Sequence, residues 1–474
     1  MPRDCLAMRS MTMTIDVAAT GGGSSLPGTT MNSTDDALAA TAADPALQDG
    51  ALKPKVGLLG VVMFGAGTAI GVSIFSVLGP AARVAGSGLL VAVLLAGIPM
   101  ILFALVYAFM GSVLPKSGAS YEWPARFVHP LFGFLVAWLR ILGSVGVIIT
   151  LVTVLVNYLG MAVHVNPDFV KPLVITAIFA INFIGISVAA RAQTVMMFVL
   201  LASMGWFVVA GVPYVDRTNF SDLKSLNWPA VVAAVPLMIT LFLGIESATE
   251  IGEEVRDAKR NIPRGIGLAV LLTAVVYMAV SAVALGVLGP AQLATRTAPL
   301  LDAARGPMGS MALPVIVGAA VFAVLKTLNS SVMIFSRYLF AMGRAGVLPA
   351  VFGRVHKRFG TPHEALMLAY GATLLGLLLP SNLVFLLLAV NVPTMLKYMG
   401  SCLAAMRLVI YHPELHAKAQ LRFGRRTVLL IAGLGATASL AIIFVGAGVD
   451  WRPYALIGGW GILGIVYWRF WTRL

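Results

Sequence analysis

The stretch from Ile266 to Leu288 carries polar side-chain atoms only at Thr273, Tyr277 and Ser281. A helix made of it has no polar face to show to water, yet it is long enough to cross the roughly 30 Å hydrocarbon core of a bilayer. Comparable stretches follow one another from Val56 to Phe470, separated by short polar punctuation. The chain is 59% hydrophobic and 11% charged, far from the roughly 45–50% apolar and about 25% charged of soluble domains. A bilayer is therefore its solvent. A membrane β-barrel needs segments of about 10 residues alternating apolar and polar, and no such alternation is present, so the expected class is an all-α polytopic membrane protein.

Twelve spans are predicted: 56–79, 89–113, 131–162, 172–190, 194–213, 230–254, 264–288, 311–340, 364–380, 384–410, 427–448 and 452–470. The cuts at Arg191 to Gln193 and at Ser381 to Leu383 are the shortest. Residues 1–52, rich in Gly, Ser, Thr, Ala and Asp, read as a disordered cytoplasmic tail or as the product of a start codon upstream of Met31. They hold no apolar core of a secretory signal. Residues 53–474 read as one transporter domain.

With the N-terminus inside, 23 Lys and Arg fall on the cytoplasmic side, seven outside and three within spans. That asymmetry predicts both termini in the cytoplasm and insertion in the cell inner (cytoplasmic) membrane. The net charge of +14 then reads as a basic surface against anionic membrane lipid, and no nucleic acid partner is expected. Cys5 and Cys402 lie in unrelated contexts and the six histidines show no ligand spacing, so neither a disulfide nor a metal site is expected. No cofactor is implied. The Ser, His and Cys residues form no catalytic constellation, which argues against an enzyme.

Two spans are interrupted by glycine. The first carries FGAGTAIGVSIF at Phe64 to Phe75, and the sixth carries LFLGIESATE at Leu241 to Glu250. Glycine in membrane helices often only permits close packing. These two interruptions, however, are five spans apart, as in carriers built from two repeats inverted in the membrane, here about 56–213 and 230–410 with extra helices about 427–470. An unwound helix offers free N–H groups to a carboxylate and free carbonyls to an ammonium. A substrate bearing both groups fits.

With GTAIGVSIF, PKSGASYEWPARFVHPLFGFLVAW at Pro115 to Trp138, FLGIESATEIGEEVRDAKRNIPRGI at Phe242 to Ile266, RYLFAMGRAGVLP at Arg337 to Pro349 and GTPHEAL at Gly360 to Leu366, the chain resembles the amino acid, polyamine and organocation (APC) transporter superfamily from about Lys53 onward. The resemblance implies a LeuT-like 5+5 inverted repeat with helices 1 and 6 unwound at mid-membrane, plus two C-terminal helices. It implies that Gly67, Thr68, Ile70, Gly71, Val72 and Ser73 in the first break and Thr240, Phe242, Gly244 and Ile245 about the sixth line the substrate. Gly143, Ser144 and Ile148 match side-chain pocket positions of the third span. Gly71, Val72 and Ser73 replace the superfamily's Gly-Ser-Gly carboxylate turn, with a β-branched residue narrowing the backbone. Phe242 matches the gating aromatic; plain packing is the other reading.

A carboxylate inside a membrane is functional by default. By the resemblance, Glu246 matches a proton-sensing glutamate, and burial alone would move its titration toward neutrality; capping the broken helix is the alternative. Lys326, in AVLKTLNSSV, lies where sodium-coupled relatives supply cation ligands, so either its ammonium replaces sodium or it snorkels. Glu246 and Lys326 are the two proton-coupling candidates of this reading, each with its own role. Lys397 and Arg140 either snorkel or pair with carboxylates that the sequence does not locate, and the charged run Glu253 to Arg260 reads as a gate or as an orientation signal.

The function expected is a secondary active transporter of an amino acid, neutral rather than dibasic, proton-coupled or exchanging. A polyamine or cationic amino acid carrier, with Glu246 and Glu250 as paired carboxylates, is the alternative, and a transporter-like sensor a distant one. Oligomeric state is not readable from the sequence.

Overall fold

Each unpaired amide in hydrocarbon costs several kcal/mol, and in the computed structural model the chain satisfies its amides by helix. The structure describes residues 52–71, 73–161, 163–224, 226–296, 298–378, 383–447 and 452–471. Among them the only strand-like pairings are isolated bridges at Val56 with Val255 and Ser117 with Ile251. The segment read as a tail lies, apart from Leu52, outside the described residues.

The first span is two helices, α1 (Leu58–Ala69) and α2 (Ser73–Ala85), followed by α3 (Leu89–Val113), α4 (Ala119–Phe127), α5 (Pro130–Leu159), α6 (Pro167–Ile184) and α7 (Ile186–Gly211). The sixth is α8 (Trp228–Ile239), completed by 3-10 turns at Ile245–Glu250 and Gly252–Glu254. Then come α9 (Ala258–Thr295), α10 (Pro299–Met308), α11 (Ala312–Arg344), α12 (His363–Gly376), α13 (Leu383–Tyr411), α14 (Pro413–Ala417), α15 (Arg425–Ala447) and α16 (Arg452–Trp471). Among the described residues, eight helical stretches are long and apolar enough to cross a membrane by length and composition alone.

The helices correct the sequence parse in three places. The fourth and fifth spans part at Gly185, φ 146° and ψ 157°, so Arg191 to Gln193 lie inside α7. A glycine needs no polar neighbours to end a helix, and the charge at Arg191 was a misleading marker. The loops after the second and seventh spans hold α4 and α10, whose mixed polar and apolar residues do not register as spans. Finally, α9 runs past residue 288 across a kink at Gly289, φ 74°. Residues 381 and 382 of the predicted second short cut lie outside the described residues, and Leu383 opens α13.

The core is a dense contact of α1, α9 and α11 with the 3-10 segment of the sixth span. Small residues permit it: a Cβ at Gly265 would lie 2.2 Å from Val61, and one at Gly65 would lie 2.6 Å from the Ile245 carbonyl oxygen. Such close backbone approach is how membrane helices gain dispersion energy without a hydrophobic drive.

Candidate functional site

Both predicted interruptions are present. α1 stops at Ala69, Ile70 takes φ −72° and ψ 70°, and helix resumes at Ser73; Val72 lies outside the described residues. In the sixth span α8 stops at Ile239, and Gly244 adopts φ 100° before the 3-10 turns begin. Glycine is required there twice over: the φ is left-handed, and a Cβ would meet Thr68 Cγ2 at 2.5 Å. The two breaks thus touch at Thr68 and Gly244. They are joined again where the Ser73 hydroxyl donates to the Thr240 carbonyl at 3.4 Å.

Helix termini expose carbonyls, and at the end of α1 these have partners within the chain. The buried Lys326 ammonium, on α11, donates to the carbonyls of Gly67 and Ile70. Tyr277, on α9, donates its hydroxyl to the Ala69 carbonyl at 2.7 Å. The carbonyls expected to hold a substrate ammonium are in part already engaged. One turn beyond Lys326, Asn329 donates to Gln193 Oε1 at 3.1 Å and to the Ala189 carbonyl at 3.0 Å, while its own Oδ1 accepts from Asn182 at 2.9 Å. This fixes α11 against α7 beside Gly67, where a Cβ would lie 2.5 Å from Gln193 Nε2.

Glu246 does not meet Lys326. Its carboxylate accepts from the Lys397 ammonium of α13, both side chains being buried. Lys397 Nζ also lies 4.4 Å from the Tyr398 ring centroid and 5.6 Å from that of Tyr107, geometry in which aromatic faces stabilise a cation. The buried carboxylate beside the sixth break therefore has a cationic partner within the protein. One turn on, Glu250 accepts from Ser120 and from Arg140, the latter at 3.0 Å. The intramembrane cations Lys397 and Arg140 thus have the two carboxylates that the sequence did not pair with them. Their signal was present: charges within spans must be balanced nearby, but sequence separations of 151 and 110 residues hid which meets which.

The remaining candidates fall around this centre. Phe242 is buried, edge-on to Tyr277 with centroids 5.8 Å apart at 83°. Ile245 and Ile148 are buried. On α5, a Cβ at Gly143 would lie 3.4 Å from Pro393 of α13, and Ser144 accepts from the Tyr338 hydroxyl of α11 at 3.0 Å. Gly71 faces Thr327.

Burial is asymmetric about the breaks. Thr240 is exposed and Thr68, Ser73 and Gly244 are half-buried, whereas everything from Ile245 to Ile251 is buried. Beyond them the chain is bolted together. Arg337 grips Glu254 through two bonds of 2.9 and 2.8 Å, at 1% and 0% exposure. The amides of Lys55 and Val56 donate to the Glu254 carbonyl, and that of Arg256 donates to the Val56 carbonyl. Arg344 holds Glu253 at 2.9 and 3.0 Å and reaches Glu122 of α4 at 3.6 Å. Burial pushes the Glu122 carboxyl above its ordinary range, Arg344 only partly countering it. Of the charged run after the sixth span, Glu253 and Glu254 belong to this seal, while Arg256, Asp257, Lys259 and Arg260 are exposed.

The two breaks therefore meet one another, with the residues about them more exposed at Thr240 than from Ile245 onward. The profile of the family described as "Amino acid permease" matches residues 56–462. An uncharacterized transporter of Mycobacterium tuberculosis is 32% identical over 317 residues, 66% of this chain and 71% of that protein. The branched-chain amino acid permease BcaP of Bacillus subtilis is 25% identical over 93% of this chain and 97% of its own. The methylthioribose transporter of the same organism is 26% identical over 87% and 92%.

Proposed function

Since the chain belongs to the amino acid permease family, a family of transporters and not of enzymes, we propose that it carries a neutral, apolar-side-chain α-amino acid across the cytoplasmic membrane, in the LeuT-like inverted-repeat manner, with both termini in the cytoplasm. The observation that carries the choice of substrate is the pairing of Glu246 with Lys397 and of Glu250 with Arg140. A dibasic amino acid or polyamine brings a second cation that needs a free carboxylate, and both carboxylates beside the breaks are already neutralised. The apolar walls offered by Ile70, Ile148 and Ile245 suit an aliphatic side chain, as does the substrate class in the name of the Bacillus relative.

The substrate carboxylate binds the amides opening α2 at Gly71 to Ser73, and its ammonium binds the carbonyls of the sixth break about Phe242 and Gly244. Lys326 supplies on the Gly67 and Ile70 carbonyls the positive charge that a sodium ion brings elsewhere, so transport needs no sodium. Protonation of Glu246 releases Lys397 and couples proton movement to the sixth break. Entry is from the Thr240 side, and the Arg337–Glu254 seal opens on the opposite side to release substrate.

Uptake of radiolabelled leucine into proteoliposomes tests this reading. Leucine, isoleucine and valine should compete, while arginine and putrescine should not. An inward proton gradient should stimulate uptake and a sodium gradient should leave it unchanged. Competition by putrescine equal to that by leucine overturns the substrate assignment, and sodium stimulation overturns the role of Lys326.

A further inference from the structure

Away from the breaks, a cavity of about 810 Å³ opens between the first turns of α9, the middle of α3 and the segment leading into α15. Its chemistry is divided. One end is formed by Lys259, Arg260 and Arg264, all exposed, and the rest by apolar walls such as Ile101 and Leu105 on α3 and Phe423 opposite. On α9 the lining residues Arg260, Pro263, Arg264, Gly267 and Val270 recur at helical spacing, so one face runs from charge to small residue to hydrocarbon. A Cβ at Gly267 would meet nothing within 4 Å, so the groove is open at that depth. Below it Leu271 and Val275 are 62% and 58% exposed, continuing the same helix as an apolar, uncovered surface.

The charge is unbalanced. α9 contains no acidic residue, and Asp257, just before it, is 60% exposed and 4.0 Å from Arg260. Lys418, Arg422, Arg425 and Arg426 flank the lining residues Gln420, Leu421 and Phe423 in sequence and add positive charge on that segment. A soluble anion satisfies the basic end but gains nothing from Ile101, Leu105 and Val270. An apolar partner satisfies the walls and leaves the cations uncompensated. A molecule with an anionic head and a hydrocarbon body satisfies both, and a membrane leaflet supplies it at high concentration.

We propose that this groove is a binding site for one anionic phospholipid of the leaflet next to the seal, its phosphate held by Lys259, Arg260 and Arg264 and an acyl chain lying over Gly267 along α9. On the orientation proposed above, that leaflet is the cytoplasmic one. The occupant bridges the first turns of α9 to the segment before α15.

Native mass spectrometry of the purified full chain, titrated with phosphatidylglycerol, phosphatidylcholine of matched chains, or inorganic phosphate, tests it. The wild type should retain phosphatidylglycerol about tenfold more tightly than phosphatidylcholine and should show no adduct with phosphate. Replacing Lys259, Arg260 and Arg264 together by Gln should abolish that preference, and replacing them by His-free cationic exchanges (Arg260→Lys with Arg264→Lys) should keep it. Gly267→Leu, which fills the groove while leaving the charges, should weaken both lipids. Equal retention of the two lipids by the wild type, an unchanged preference in the triple Gln variant, or unchanged lipid retention in Gly267→Leu overturns the proposal. Leucine uptake in neutral-lipid vesicles by the same variants reports folding separately, and its failure with intact lipid preference bears on the transport reading alone.

Discussion

Two buried ion pairs lie eight residues apart on the same segment of the sixth span, and they are built differently. Glu254 meets Arg337 through a planar two-bond fork at 1% and 0% exposure, with the Glu254 backbone also tied to the start of α1. Glu246 meets Lys397 through a single ammonium, which shares its charge with the faces of Tyr398 and Tyr107 and sits next to the left-handed turn at Gly244. An arginine fork is geometrically specific and always charged, whereas a lysine is a rotatable point charge whose protonation and position respond to its surroundings. The first pair is suited to locking two elements in register. The second holds its partner less rigidly, as the proposed proton coupling requires.

The largest expected effect follows from the lock. Arg337→Lys keeps the charge but loses the fork, and Arg337→Met leaves Glu254 buried without a partner; removal of one member of a buried pair costs about 3–5 kcal/mol. Thermal unfolding in detergent should show a large loss for Met and an intermediate one for Lys, and uptake should fall in both. If Lys matches wild type in both measurements, the distinction between fork and point charge fails.

A smaller and more specific effect is expected at the other pair. Glu246→Gln leaves the Lys397 ammonium unpaired and should lower stability, and Glu246→Gln with Lys397→Met should recover much of it, since replacing both members of a buried pair is often near neutral. The pH dependence of leucine uptake should be lost in the single and double variants alike. A pH profile that survives Glu246→Gln removes the coupling role and leaves this pair a structural one like its neighbour.

The smallest effect lies at the rim of the seal. The Glu122 carboxyl is held above its ordinary range, so the folded state favours its protonated form: the stability it contributes is present at low pH and is lost as pH rises through the raised value. Glu122→Gln, which cannot ionise, should match wild type near pH 4 and be equal or slightly more stable at pH 7. A variant clearly less stable at pH 7 shows that the Arg344 contact outweighs burial there.

The membrane class, the approximate spans and the two interruptions were legible because each is local: about 20 apolar residues in a row, or glycines clustered before a polar residue, declare themselves within one turn or one span. The family's motifs placed Thr68, Ser73, Gly244 and Glu246 at the breaks, and the structure finds those breaks in contact. The separation of the fourth and fifth spans was misread because the punctuation was a lone glycine, Gly185, and not the charged Arg191.

From sequence alone, this chain had to enter a bilayer, and its first and sixth spans carried the glycine interruptions and its spans the cations Arg140, Lys326 and Lys397, features that stand out because hydrocarbon solvates neither a charge nor a loose amide. Only the tertiary structure decided the pairings: Lys397 with Glu246, Arg140 with Glu250, Arg337 with Glu254, and Lys326 with the carbonyls of Gly67 and Ile70. The reason is geometric, since Coulomb attraction sets that opposite charges must meet, while which ones can meet depends on how α5, α11 and α13 pack around the broken sixth span.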